Sequence, residues 1–122
     1  MSAIAVKKLD ERAVLPSYGS AYAAGADLYA LTDGEVSFRP GETKFVRTGI
    51  ALEIPAGFVG LVYARSSLAC KRGLAPANKV GVIDADYRGE IMVALHNHSG
   101  EVQSVASGER IAQLVVAPFL RA

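Results

Sequence analysis

Alternation of apolar and polar residues with a period of two is the main pattern of this chain. It is clearest in the segments 50–54, 91–95 and 111–116, where successive residues fall on opposite faces of an extended backbone. The run 58–64 is apolar at odd and even positions alike, which predicts a strand buried on both faces. Helical spacing is nearly absent. The pattern therefore predicts many short strands.

Turn-forming residues separate these strands. They are the pairs Asp33-Gly34, Pro40-Gly41, Arg88-Gly89, Ser99-Gly100 and Ser107-Gly108 and the triplet Pro55-Ala56-Gly57. One helix is predicted from Ser66 to Arg72, because a serine N-cap, good helix formers and late cations precede Gly73. We expect an all-β jelly roll or sandwich with one short helix, forming a single domain over residues 1–122.

Composition places this domain among ordinary globular proteins. The chain has 122 residues, of which 51% are hydrophobic and 20% charged, and its formal net charge is +1. This balance gives no electrostatic basis for binding nucleic acid or an anionic membrane, although local cations could hold a small anion. No apolar stretch approaches the ~20 residues that cross a bilayer, and the N-terminus lacks a signal-peptide pattern. Strands that are apolar on both faces favour oligomerisation.

Cysteine and histidine are too few for a zinc site of the usual kind. The single Cys70 cannot form an intrachain disulfide, which favours a reducing cytoplasm, and we interpret it as a packing residue. His96 and His98 face the same side of one strand. We interpret them as solvated residues of a strand edge, since metal binding would need a third ligand nearby. Any metal is expected to be a hard ion held largely by something other than protein.

The segment from Val80 to Glu90 carries the most unusual carboxylate. Asp84 directly follows three apolar positions inside a hairpin-like pattern. It could cap a turn, or it could act as a base that orients a water molecule. Tyr87 could be a packed ring or a platform for a flat ligand. By itself the segment leaves these alternatives open.

A second polar segment lies where a strand gives way to the predicted helix. Arg65 is followed by Ser66 and Ser67. A guanidinium, hydroxyls and free backbone N–H groups together suit an oxyanion such as phosphate, but plain serine capping would account for the same residues.

Two further polar residues interrupt apolar runs. Asp27 lies in a run of small and apolar residues, and Gln113 lies within a predicted strand. A buried carboxylate or amide needs hydrogen-bond partners, which could be structural or belong to a ligand.

In this order the four segments closely resemble the motifs of the trimeric dUTP diphosphatases, or dUTPases. The matching stretches are AGADLYA at 24–30, ARSSLACKRGL at 64–74, NKVGVIDADYRGE at 78–90 and GERIAQLV at 108–115. The third is highly specific, and together they span most of residues 24–115. The resemblance implies a distorted jelly roll or β-clip barrel of short strands with one short helix.

The resemblance also implies roles for single residues. The base-reading group would be Asn78 with the backbone around Val82, Ile83 and Met92. Tyr87 would pack beneath the deoxyribose and exclude a 2′-hydroxyl, and Asp84 would orient the water that attacks the α-phosphorus. Phosphate oxygens would be bound by Arg65, Ser66, Ser67 and Gln113. Asp27 would reach Mg²⁺ through water.

The implied activity is hydrolysis of dUTP to dUMP and pyrophosphate, which limits uracil in DNA and supplies dUMP for dTMP synthesis. Mg²⁺ would be the cofactor, carried mainly by the substrate phosphates. The implied assembly is a homotrimer whose active sites are shared between subunits, in the cytoplasm, without nucleic-acid or membrane partners.

Two features depart from the family pattern. Ser67 stands where many members have glycine, although serine is also accepted. The family usually ends in a mobile glycine-rich arm containing Arg and Phe, whereas this sequence stops at Ala122. Without such an arm we expect near-normal folding and trimerisation, weaker triphosphate binding and much slower turnover.

Two other functions are compatible with parts of the pattern. A dCTP deaminase of the same fold shares the run 65–69, but the resemblance places its proton-shuttling Glu where this chain has Ala94 and an Arg where it has Cys70. A non-catalytic nucleotide-binding or regulatory relative would fit the missing arm. Retention of Asp84 argues against it, because binding alone does not require that carboxylate.

Overall fold

The predicted short strands are present throughout the computed structural model, which describes residues 3–122. The elements are β1 Ala5–Lys8, β2 Ser17–Tyr18, β3 Ala26–Tyr29, β4 Val36–Phe38, β5 Thr43–Arg47, β6 Ile50–Glu53, β7 Phe58–Tyr63, α1 Ser66–Arg72, β8 Leu74–Pro76, β9 Gly81–Ile83, β10 Met92–Asn97, β11 Gln103–Val105 and β12 Arg110–Pro118. The chain is therefore mostly β with one short helix, as predicted.

The strands form four antiparallel sheets. The largest has the order β2-β3-β12-β7-β9, and a second has the order β5-β10-β8. Two-stranded sheets pair β1 with β6 and β4 with β11. Most strands that pair with each other are distant in sequence. The long strand β12 and the central strand β10 therefore join segments from across the chain.

Alternation correctly predicted the core face of two strands. Leu52 and Ile54 are almost fully buried while Glu53 between them is exposed, and Val93 and Leu95 are buried in β10. The most deeply buried side chains form one cluster that includes Phe38, Leu28, Leu74 and Ile111. Packing of these apolar faces supplies the main stabilisation of the fold.

The prediction for the run 58–64 was wrong in one respect. Gly60 and Val62 are buried, but Val59 and Leu61 are only half-buried. One face of β7 therefore packs on the core and the other does not reach full burial within a single chain.

Helix α1 has the predicted bounds but not the predicted N-cap residue. Arg65 is its N-cap, in an extended conformation and without a side-chain cap hydrogen bond, so Ser66 lies inside the first turn. The C-terminus is as predicted, because Gly73 adopts φ 67° and its N–H donates to the carbonyls of Ala69 and Leu68. Within residues 3–122 no helix has the length and apolar character needed to cross a membrane.

Candidate functional site

A cavity of about 240 Å³ lies between β9 and the beginning of β10. Its lining contains every residue predicted to contact the base, the sugar or the attacking water, namely Asn78, Val82, Ile83, Asp84, Tyr87 and Met92. One segment of the chain, residues 78–92, thus brings these predicted residues together. We call it the hairpin, although β9 pairs with β7 and β10 with β5 and β8, so the predicted hairpin-like pattern does not form a paired hairpin.

The cavity exists because β9 and β10 are consecutive in the chain but belong to different sheets. β9 pairs only with β7, so it is an edge strand, and its outer side has no partner strand among residues 3–122. Free N–H and C=O groups on such an edge can form hydrogen bonds to a flat ligand. The backbone is therefore available to read donor and acceptor positions.

Asp84 is exposed, and its carboxylate has no hydrogen-bond partner within the described chain. Only its backbone carbonyl is engaged, accepting the N–H of Tyr87 at 3.1 Å. The turn-capping interpretation is therefore wrong. The apolar residues before Asp84 are not uniformly buried either, since Ile83 is buried but Val82 is 64% exposed. The carboxylate is left free to bind a ligand or water.

Tyr87 is held against the turn that follows Asp84. Its hydroxyl donates a hydrogen bond to the carbonyl of Glu90 at 2.8 Å. A Cβ on Gly89 would lie 2.7 Å from the Tyr87 hydroxyl, so only glycine leaves room for the ring in this position. The ring is 45% exposed, which leaves one side open to the cavity.

A second polar group, which we call the charged cluster, consists of Asp27, Arg65, Arg110 and Gln113. It forms where β12 lies between β3 and β7, since Gln113 is the register partner of Asp27 on one side and Tyr63 on the other. Long-range strand pairing therefore assembles residues that are far apart in sequence.

Asp27 is the centre of the charged cluster. Its Oδ1 accepts a hydrogen bond from Nε of Arg65 at 3.0 Å, and Nη1 of Arg110 lies 3.7 Å from Oδ2. Two guanidinium groups around one largely buried carboxylate leave an excess of positive charge, which suits an anionic ligand.

Gln113 is oriented by the backbone. Its Nε2 donates to the carbonyl of Ala64 at 2.9 Å. Gly25 makes space for this side chain, because any Cβ there would collide with the Gln113 carboxamide. The carboxamide thereby lies beside the residue that precedes Arg65.

Ser66 and Ser67 are exposed at the start of α1. Within the described chain neither hydroxyl serves as a helix cap, which removes the simple structural explanation for them. They remain available to a ligand next to Arg65.

The cavity and the charged cluster are separate in this single chain. None of the residues of the charged cluster, nor Ser66 or Ser67, lines the cavity. The connection between the two is β7, where Val62 lines the cavity and the next residue, Tyr63, is paired with Gln113.

Of His96, His98 and Cys70, two differ from the expectation from sequence, and the exposed His98 does not. His96 lies on the central strand β10, not a strand edge, and its Nδ1 is 2.8 Å from the hydroxyl of Thr43. The rings of His96 and His98 are 6.4 Å apart, so they do share a side. Cys70 is exposed on α1 and is not a packing residue.

The family model for dUTPase matches residues 11–122 of this sequence. The chain belongs to the dUTPase family.

Curated relatives agree with this assignment. The deoxyuridine 5′-triphosphate nucleotidohydrolase of Syntrophotalea carbinolica is 53% identical over 119 residues, covering 98% of this chain and 81% of that protein. The enzyme of the same name from Nautilia profundicola is 46% identical over 117 residues, covering 96% of this chain and 81% of that protein.

Solved dUTPase structures share the fold. The dUTPase of Staphylococcus bacteriophage 80alpha matches with a TM-score of 0.91 at 26% identity, over 100% of this chain and 94% of that one. A mutant dUTPase of phage phi11 of S. aureus matches with a TM-score of 0.87 at 26% identity, over 99% and 94% of the two chains. The latter structure reveals the coordination of a structural Mg(II) ion in that protein.

Sequence reasoning missed three residues of the site. Arg110 and Gly25 lie inside the motifs that carry the dUTPase resemblance, but only the pairing of β3 with β12 shows what they contact. Glu90 ends the third motif, and the sequence assigns it no role, although it lines the cavity. A glycine in a run of small residues is a signal of close approach that could have identified Gly25.

Proposed function

We propose that this member of the dUTPase family hydrolyses dUTP to dUMP and pyrophosphate, with the residues of the cavity and the charged cluster in the roles described below. The observation that carries the proposal is Asp84. Its carboxylate lines the cavity and is unbonded within the described chain, which leaves its oxygens available to accept a proton from water.

The uracil would be read by the edge of β9 and by Asn78. Backbone N–H and C=O groups on an unpaired strand edge, together with a side-chain amide, match the alternating acceptors and donors of uracil. Cytosine has an amino donor in place of the O4 acceptor and an acceptor in place of the N3–H donor, so it would leave partners unsatisfied, which is a strong basis for rejection.

The sugar would lie on Tyr87. The ring is held by the bond to Glu90 and lines the cavity, so a 2′-hydroxyl would meet a fixed aromatic surface instead of solvent. A ribose hydroxyl that loses its hydrogen bonds to water without gaining a partner weakens binding.

The triphosphate would be bound by Arg65, Ser66, Ser67 and Gln113. Arg65 uses only Nε to contact Asp27, which leaves the outer nitrogens of its guanidinium for phosphate oxygens. Charge neutralisation and positioning of this kind are the main contributions of protein to phosphoryl chemistry.

The donor set fits a Mg²⁺ ion that the substrate carries. Within residues 3–122 no group of three or more His, Cys, Asp or Glu side chains could hold a metal ion. Asp27 is a single hard oxygen donor already bonded to Arg65, which suits a contact through water better than direct coordination. When bound, Mg²⁺ neutralises charge on the phosphates.

We propose that the working form is a homotrimer with shared sites, because the cavity and the charged cluster are separate in one chain. A face of the largest sheet supports this. Val59 and Leu61 lie opposite Ala117 and Val115, and all four are half-buried, with Gln113 on the same face. A second copy covering these apolar residues would lie beside the charged cluster.

Light scattering tests the assembly, and we expect a trimer that Leu61→Glu converts to smaller species. A control is Val102→Glu, at an apolar residue that is 63% exposed outside this face. A stable monomer of the unaltered chain would contradict the shared-site arrangement.

Deamination is not supported by the cavity. Ala94 lines it where a deaminase would need a proton-shuttling carboxylate. Apart from Asp84, the acidic residue lining the cavity is Glu90, and its carboxylate is bonded to Arg47 and to the N–H of Gly49.

We propose a reducing cytoplasm as the compartment, since the exposed Cys70 is unpaired.

The activity is tested by incubating the chain with dUTP and Mg²⁺ and measuring pyrophosphate. We expect release that stops when the metal is chelated, and little release from dCTP. Binding of dUTP without release would favour the non-catalytic alternative, and ammonia from dCTP would favour the deaminase.

A further inference from the structure

Glu90 lies at the end of the hairpin and lines the cavity. Its carboxylate accepts hydrogen bonds from Nε of Arg47 at 3.0 and 3.3 Å and from the N–H of Gly49 at 2.9 Å. The side chain is only 21% exposed, so these contacts are partly shielded from water. The carboxylate is therefore held by the turn between β5 and β6.

The next residue extends this attachment. The N–H of Ile91 donates to the carbonyl of Ile50 at 2.9 Å, and the buried hydroxyl of Thr48 donates to the carbonyl of Ile91 at 2.6 Å. Gly49 has φ 73° in the left-handed region, which lets its N–H point at the Glu90 carboxylate. The second leg of the hairpin is thus fixed to a neighbouring turn by both side-chain and backbone bonds.

The backbone carbonyl of Glu90 faces the other way, toward Tyr87. It accepts the hydrogen bond of the Tyr87 hydroxyl at 2.8 Å. Glu90 consequently makes two connections. Its carboxylate bonds to the turn after β5, and its carbonyl bonds to the aromatic ring of the cavity.

We propose that Glu90 is a positioning residue that sets the discrimination between deoxyribose and ribose by fixing the Tyr87 ring. The inference rests on the proposed function, because it takes Tyr87 as the surface beneath the sugar. Glu90 contacts no reacting atom in this arrangement. Loss of its carboxylate releases the residue 90 carbonyl, the ring gains freedom to tilt, and a 2′-hydroxyl is tolerated.

A double-mutant cycle tests the connection. We expect Glu90→Ala and Tyr87→Phe each to lower the ratio of kcat/KM for dUTP to that for UTP by about tenfold, the size of one lost hydrogen bond. The double variant should be no worse than either single variant, since Tyr87→Phe removes the bond to the residue 90 carbonyl and Glu90→Ala frees that same carbonyl to move. In each of the two single variants, kcat for dUTP should change less than KM for dUTP.

Glu42 offers a matched control. Its side chain is 24% exposed, it accepts the N–H of Arg39 at 2.8 Å and it lies 3.6 Å from the Arg39 guanidinium, but it does not line the cavity. Glu42→Ala should leave the dUTP to UTP ratio unchanged. Glu90→Gln retains an acceptor for the Gly49 N–H, so it should recover most of the ratio lost in Glu90→Ala.

Additive effects in the cycle, or a Glu90→Ala ratio equal to that of Glu42→Ala, would overturn the inference and leave the proposed function intact. If the unaltered chain does not hydrolyse dUTP, the proposed function itself is wrong. Should Glu90→Ala fail to fold, Arg47→Met replaces it in the cycle, because it removes one partner of the carboxylate and keeps the Gly49 bond.

Discussion

The cavity and the charged cluster are assembled in opposite ways. The cavity comes mostly from one stretch of chain, the hairpin and the strands that flank it, and its ligand-facing groups include an unbonded carboxylate and an unpaired strand edge. The charged cluster combines residues from β3, β12 and the start of α1, and its single carboxylate lies between two guanidinium groups, which leaves a net positive charge.

In the proposed function, this difference assigns recognition of base and sugar to the cavity and charge neutralisation to the charged cluster. In the proposed function, base and sugar are selected mainly by groups from one segment, and the turn after β5 contributes by holding Glu90. The charged cluster draws its residues from three distant segments, so its proposed contribution to triphosphate binding depends on strand register and on the proposed neighbouring subunit. Substitutions in the cavity should therefore change kcat or the preference for dUTP over UTP, and substitutions in the charged cluster should change kcat/KM for dUTP.

The largest effect is expected for Asp84→Asn. The amide cannot accept a proton from water, so kcat should fall by about a hundredfold to ten-thousandfold, the usual contribution of a general base. Binding of dUTP, measured by calorimetry, should be retained. Asp86→Asn is the control, since Asp86 is exposed on the same hairpin but does not line the cavity. An unaffected rate in Asp84→Asn would remove this carboxylate from the mechanism.

A smaller effect is expected for Arg65→Met in the charged cluster. Loss of a charge-assisted hydrogen bond should lower kcat/KM for dUTP by about ten- to a hundredfold. Binding of dUMP, which has a single phosphate, should change less. Arg72→Met provides the comparison, because Arg72 is also a partly buried guanidinium in an ion pair, at 2.8 Å from Glu109. Equal losses for dUTP and dUMP would show that the two regions are not independent.

The sequence predicted the cavity better than the charged cluster, because the cavity residues are close together in sequence and those of the charged cluster are far apart. Residues 78 to 92 form one local motif, so their shared location follows from a single hairpin. Burial was predicted less well. The exposure of Asp84 and the half-burial of Leu61 depend on where a strand stops and on what covers its second face, which alternation does not encode.

The contacts of the charged cluster could not be predicted because they depend on register. That Asp27 meets Arg110 as well as Arg65 follows from the pairing of β12 with β3, which includes a register shift near Arg110. A bond between Glu90 and Arg47 likewise requires the pairing of β5 with β10. Sequence patterns assign faces to strands but not partners to distant strands.

The smallest effect is expected for Tyr87→Ala, and it concerns selectivity more than rate. Removal of the ring opens space beneath the sugar, so the preference for dUTP over UTP should fall by about tenfold or more while kcat for dUTP changes little. Competition between the two nucleotides in a pyrophosphate-release assay measures this ratio. Tyr22→Ala, at a tyrosine that is 99% exposed, should leave it unchanged. If Tyr87→Ala discriminates as well as the unaltered chain, the sugar is selected elsewhere, and the hairpin cavity would retain only its role in reading the base.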